Sequence, residues 1–435
     1  MICLKKRIGI GLFIAIIFIF IPYYFIVNGI PASFSMIKGD ELTVKILFPF
    51  DLYVSGKDST EITINGQVLS SNLKLNPGEV TLKANDVGDS ALNFKLFGFI
   101  PVKTMIVKVL PEINVYPGGQ AIGVLLRSRG VMVVGNSFVE DSNGNRHYPA
   151  KDAGITVGDK ILQINQQPIN DKIKLATEIQ KVVENGEKEI TFLLKKSDGQ
   201  QENVKLEPIK NKQGIYMIGL YVDDGVAGVG TLTFINPSNN DYGALGHEII
   251  ESNSQNRIEV REGKVLEAKI SGIHSGQRGL PGEKLGTFFQ TENVIGEINK
   301  NNQFGIFGTL TKIPENPYFK DPIPVAVNNE VERGPAKIYT VIQGGKIEEF
   351  SVNIERVYFQ SSAKEKGLII NITDPKLRKI TGGIIQGMSG SPIVQNGKLV
   401  GAITHVFVNE PTKGYGIFAE WMLLQTNSYN IARAN

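Results

Sequence analysis

The sequence predicts a mainly β chain: an N-terminal transmembrane helix followed by several β domains. Three observations carry this. Glycine makes up 47 of 435 residues, and β-branched runs recur between Gly turns, the pattern of short strands joined tightly. The apolar run Ile8 to Val27 carries no charge and has the roughly 20 residues needed to cross a bilayer core. Helical spacing of apolar residues is clear in the internal stretch Lys172 to Asn185, at Ile173, Ala176, Ile179, Val182 and Val183. A chain this long holds two to four domains. The net charge of +3 gives no reason to expect nucleic acid as a partner. The single cysteine, Cys3, precedes the apolar run, which excludes an intrachain disulfide and any cysteine-based metal or nucleophile site in the remainder.

Taken in order, Lys5-Lys6-Arg7 before the run directs the N-terminus to the cytoplasm and the rest of the chain outside. Ile30-Pro31-Ala32-Ser33 is a poor cleavage site, so residues 1–28 read as an uncleaved anchor of a single-pass membrane protein. Residues 36–112 read as a small β domain with no catalytic constellation, a spacer or docking module. In residues 113–210, Ile122 to Leu126 reads as a strand entered through Gly118-Gly119. The run Ala153-Gly154-Ile155-Thr156-Val157-Gly158-Asp159-Lys160-Ile161-Leu162-Gln163-Ile164-Asn165 resembles that of PDZ domains. Such domains bind an extended peptide by strand addition, with backbone N–H groups taking its terminal carboxylate. The resemblance implies that Gln120, Ala121, Ile122, Gly123 and Val124 form that carboxylate loop, with a segment of the chain itself, a partner or the substrate as ligand. Residues 214–435 repeat strand-like runs between Gly turns, which suits a barrel or a pair of barrels.

The chemistry centres on Gly387-Met388-Ser389-Gly390-Ser391-Pro392, a small-residue turn before an Asn396-Gly397 hairpin. A nucleophilic serine needs neighbours without bulk, so that backbone N–H groups can converge on the oxyanion. Only four histidines occur, and His247 sits in the Gly-rich run Tyr242 to Glu248. Ser389 is therefore the expected nucleophile and His247 the expected base, with a carboxylate to orient the imidazole. His405, on the strand after the hairpin, reads as structural, and His274 as a loop residue. Four dispersed histidines with no adjoining acid pairs point away from a structural zinc site, and no cofactor is expected.

The turn resembles those of chymotrypsin-like serine proteases and their HtrA relatives. Together with Tyr242-Gly243-Ala244-Leu245-Gly246-His247, Asn371-Ile372-Thr373-Asp374-Pro375 and Thr404-His405-Val406-Phe407-Val408-Asn409, it resembles the stage IV sporulation protein B peptidases. That resemblance spans nearly the whole chain. It implies a chymotrypsin-like double β-barrel, Asp374 as the acid, and the backbone N–H groups of Gly387 and Ser389 as oxyanion donors. It further implies a membrane-anchored signalling protease, made in the forespore and acting between forespore and mother cell. Such an enzyme cleaves itself and a membrane-complex subunit, triggering activation of a late sigma factor. Asp374 stands unusually close before the serine, so capping of the following turn is an alternative role, with Asp241, Glu248 and Glu292 as stand-ins. Met388 takes the place of the aspartate that pairs with a new N-terminus in trypsin-like zymogens, leaving the PDZ module as the candidate control. The competing readings are a non-catalytic PDZ scaffold and an HtrA-like envelope quality-control protease.

Overall fold

The computed structural model describes residues 30–427, apart from 47–50, 57–58, 70–71, 77, 252–256, 259 and 289–292. The expected anchor and Cys3 lie outside the described residues. Among those described, no helix is long and apolar enough to cross a bilayer.

The first domain is a β-sandwich. Along Gly78–Ala84 and Gly88–Leu96 every second side chain is buried, as a pleated strand with one face on a core requires. A five-stranded and a four-stranded sheet enclose Val54, Ile62, Leu92 and Val107. The sandwich starts slightly earlier than expected, because Ser33–Ile37 pairs in parallel with Ile100–Leu110. Ser35 Oγ donates to Glu420 (2.8 Å) and the Asn328 N–H to the other carboxylate oxygen (2.7 Å), tying the sandwich to the peptidase region. Burial pushes the Glu420 carboxyl upward, and these two donors oppose it.

The next two bodies share their strands. Ala121–Asn136 and Leu220–Ile235 pair antiparallel from Ala121 opposite Thr231 to Asn136 opposite Leu220. One end of this ribbon closes a six-stranded barrel with Asp241–Ala244, Glu262–Glu267, Val294–Asn302 and Gly305–Leu310. The other end continues into a second body with Lys160–Ile164, Ile190–Lys195, Gln201–Leu206 and the helix Lys172–Glu184, around Val131, Ile161, Ile179 and Phe192. Asp171 starts that helix by accepting the Lys174 N–H at 2.7 Å. The PDZ-like body is thus an insertion between two strands of the first barrel, and the edge near residue 113 separates the sandwich from that barrel rather than from the PDZ body alone.

This corrects the expected carboxylate loop. Ile122, Gly123 and Val124 are paired on both edges, to Leu220–Ile235 and to Glu262–Glu267. The Gln120 and Ala121 carbonyls accept from Leu232 and Ala268. Strand addition needs unpaired N–H and C=O groups, and these are consumed by the barrel. An edge without a strand partner among the described residues lies instead at Leu220–Asp224, which pairs only with Ala121–Asn136. The helix Lys172–Glu184 lies beside it, its Gln180 side chain bonding both the Tyr216 N–H and C=O.

The last body is a closed six-stranded barrel of Gly334–Gln343, Lys346–Val357, Leu368–Ile372, Pro392–Gln395, Lys398–Val406 and Lys413–Phe418. Ile338, Ile354, Ile370 and Ile393 fill it. A hairpin, Lys269–His274 with Glu283–Thr287, reaches from the first barrel to bridge Gly344 and Gln386 of the second.

Candidate active site

The serine turn is small for steric reasons. Gly387 and Gly390 sit at φ +87° and +91°, in the left-handed region that glycine enters without strain. A Cβ on Gly390 would stand 2.1 Å from the Thr231 carbonyl oxygen. The strand Leu220–Ile235 clasps the turn: the Thr231 N–H donates to the Ser389 carbonyl (3.0 Å), Thr231 Oγ1 to Gly387 (2.7 Å) and Thr233 Oγ1 to Gly390 (2.8 Å). Met388, in the place of the zymogen aspartate, is fully buried in the second barrel's core. The Gly387 and Ser389 N–H groups donate to nothing among the described residues, and both residues line the cleft. An oxyanion requires unpaired N–H donors of this kind beside the nucleophile.

His247 follows a turn at Leu245 and Gly246, both at positive φ. Its Nδ1–H donates to the Glu248 carbonyl at 2.8 Å, which leaves Nε2 as the basic nitrogen. Burial lowers its pKa below the ordinary histidine value; the Glu248 carbonyl and the Glu248 and Glu365 carboxylates oppose that shift. The imidazole is therefore neutral, as a base must be. His247 and Ser389 line one cleft of about 420 Å³. Its other walls are largely apolar, including Val229, Leu245, Ile249, Ile384 and Val406. Ser389 Oγ donates to the Thr404 carbonyl (2.7 Å) rather than to His247.

The expected acid is elsewhere. Asp374 caps the helix Pro375–Thr381, accepting the Leu377 N–H at 3.0 Å and the Ser351 N–H at 3.4 Å. It does not line the cleft. Proline at the first helical position and a free N–H at the third explain why aspartate is suited there. Of the stand-ins, Asp241 is buried and accepts from Asn239 and the Asn427 N–H, and the Glu248 carboxylate faces Arg257 at 3.8 Å. Glu292 lies outside the described residues.

His405 is a functional neighbour that sequence reasoning assigned to structure. It lines the cleft with its ring centroid 5.0 Å from that of His247, and its buried Nδ1 has no partner among the described residues. Burial, then the nearby His247 and Lys366, lower its pKa to about 4. The signal was the hairpin itself: a strand returning beside the turn, with Gly390 bonded to Ile403, brings residues 404 and 405 to the nucleophile. His274 pairs with Glu283 on the surface and His147 with Asp141, so neither joins the site. Among the described residues no group of three or more His, Cys, Asp or Glu could hold a metal.

Two barrels meeting at a serine, a histidine and two free N–H groups define a serine endopeptidase. Residues 214–423 match the family model described as SpoIVB peptidase S55, and residues 140–196 match that of a PDZ domain. The peptidase region is thus an S55 peptidase domain, accompanied by a PDZ domain. No curated protein matches the chain. Among solved structures, the inactive form of the Rv3671c protease shares 12% identity over 46% of this chain and 84% of that chain, with a TM-score of 0.26. The active form, from M. tuberculosis, shares 14% over 47% and 74%, with a TM-score of 0.25. Likenesses this low carry no argument.

Proposed function

We propose that Ser389 attacks the peptide carbonyl while His247 Nε2 takes its proton, and that the Gly387 and Ser389 N–H groups bind the oxyanion. The Glu248 carbonyl performs the tautomer-fixing part of the acid's task. The observation that carries this reading is the shared cleft of His247 and Ser389 beside two free N–H donors. The apolar walls favour apolar side chains at the scissile bond. The Ser389 bond to Thr404 marks a resting arrangement, released when Oγ rotates toward His247.

The finer role follows the family: a membrane-anchored signalling peptidase that cleaves itself and a membrane-complex subunit outside the cytoplasm, between forespore and mother cell, leading to late sigma-factor activation. The PDZ peptide, from the chain itself or a partner, adds to the edge Leu220–Asp224 rather than to Gln120–Val124. The same strand runs on to Thr231, which grips the serine turn, so a peptide docked there acts on the site through one continuous element.

The test is to incubate wild type and Ser389→Ala with a fluorophosphonate probe and follow chain fragments by mass spectrometry. Labelling at Ser389 and fragments only in wild type are expected. Processing by the alanine variant at the wild-type rate would leave a scaffold as the better reading.

A further inference from the structure

Behind the serine turn lies a buried polar chain that supplies neither the nucleophile nor the base. Lys284, on the hairpin strand Glu283–Thr287, is 5% exposed, and Thr340 and Ser391 are fully buried. Lys284 Nζ donates to Thr340 Oγ1 at 2.7 Å. Ser391 Oγ lies 2.6 Å from the Met388 carbonyl, which can only accept, so the serine donates there. The same hydroxyl is directed as donor to Thr340 Oγ1 at 3.1 Å, so its one proton is shared between that oxygen and the Met388 carbonyl. Lys284, Thr340 and Ser391 therefore form one hydrogen-bonded chain, with Thr340 Oγ1 accepting at its centre and the Met388 carbonyl accepting at its end. That carbonyl belongs to the peptide group whose N–H is the Ser389 N–H.

Lys284 also touches the other donor. Its main chain pairs with Gln386, the Lys284 N–H donating to the Gln386 carbonyl and the Gln386 N–H to Gly282. Its stem lies against Gly387, where an added Cβ would stand 3.1 Å from Lys284 Cβ. A trypsin-like enzyme braces this turn with an ion pair to an aspartate; Met388 cannot form one.

We propose that Lys284, Thr340 and Ser391 are positioning residues that hold the Met388–Ser389 peptide group so that its N–H faces the oxyanion. This rests on the serine-peptidase reading of the same site. Three physical features support it. Polarising a peptide carbonyl strengthens the donor at the other end of that group, an effect larger in a dry interior. The amine has no partner besides Thr340 among the described residues, and burial alone lowers its pKa to about 7. A buried amine satisfied by one hydroxyl destabilises the fold relative to an apolar side chain of equal length.

That last point separates positioning from simple support. The full chain, in detergent, is compared as wild type, Lys284→Met, Thr340→Val, Thr340→Ser and Ser389→Ala. Fluorophosphonate inactivation is resolved into its maximal rate and its half-saturating probe concentration, and melting is followed in parallel. The expected result is a maximal rate lowered about 10–100-fold in Lys284→Met and Thr340→Val, a part of the 10²–10³-fold loss of a whole oxyanion donor. Half-saturation stays within about twofold, Thr340→Ser recovers most of the rate, and Lys284→Met melts no lower than wild type. Unchanged maximal rates in both variants, or losses that track melting temperature and are not restored by Thr340→Ser, would overturn the proposal while leaving Ser389 as nucleophile. Should Thr340→Val fail to fold, Lys284→Met decides by the same criteria. A wild type that Ser389→Ala matches in labelling would overturn the site reading and this inference with it.

Discussion

The two sides of the cleft are built to different degrees of rigidity. The serine side is clasped from in front by Thr231 and Thr233, pinned by buried Met388 and backed by Ser391, Thr340 and Lys284. The histidine side has one orienting bond, from Nδ1 to a carbonyl one residue away. In the mechanism we propose, the oxyanion donors are therefore preorganised, and the base is the adjustable partner. A site built this way keeps its electrostatic stabilisation in place.

The largest effect should come from the shared chemistry. We expect Ser389→Ala and His247→Ala each to lower cleavage at least about 10⁴-fold, because nucleophile and base act as a unit; single-turnover cleavage checks this. On the rigid side, Gly387→Ala should cost about 10²–10³-fold in maximal rate, since a Cβ at φ +87° meets the Lys284 stem and displaces a donor. The same loss from a comparable change at Glu248 would show the histidine side to be equally rigid. Deleting the peptide edge's neighbour, the Gln180 side chain, should change peptide activation but not basal labelling, measured with and without added C-terminal peptides.

A smaller effect concerns pH. His405 has a folded pKa near 4 against an unfolded value near 6.5, so the unfolded chain binds more protons between these values. Stability is fully present above about pH 6.5 and is lost as pH falls toward 4, by up to about 3 kcal/mol. His405→Phe should flatten the urea midpoint across that window. The smallest expected effect is at the helix cap: Asp374→Ala should lower stability by about 1 kcal/mol and Asp374→Asn by less, read from urea unfolding.

The same contrast explains what was legible in sequence. The serine turn, its hairpin and the second barrel are contiguous, so Gly387, Ser389 and the strands around them could be read locally. The PDZ signature at Ala153–Asn165 was equally local. The first barrel borrows Ala121–Arg127 from before the PDZ insertion and closes across it, a pairing at a sequence separation that no local pattern encodes. Gln120–Val124 was misassigned for that reason. Asp374 carries two signals at once, a family motif and an aspartate-proline helix start, and the local one governs its side chain. The Glu248 carbonyl is invisible to sequence because every residue has one.

The most direct test of the histidine side is the pH dependence of fluorophosphonate labelling in wild type and Asp374→Asn. With His247 oriented by the main chain, both should lose activity along the same acid limb, its midpoint below the ordinary histidine value. Their plateau rates should agree within a few-fold. A plateau about 10⁴-fold lower in Asp374→Asn, the loss expected when an imidazole is left in the wrong tautomer, would contradict a main-chain-oriented base and restore Asp374 to the catalytic site.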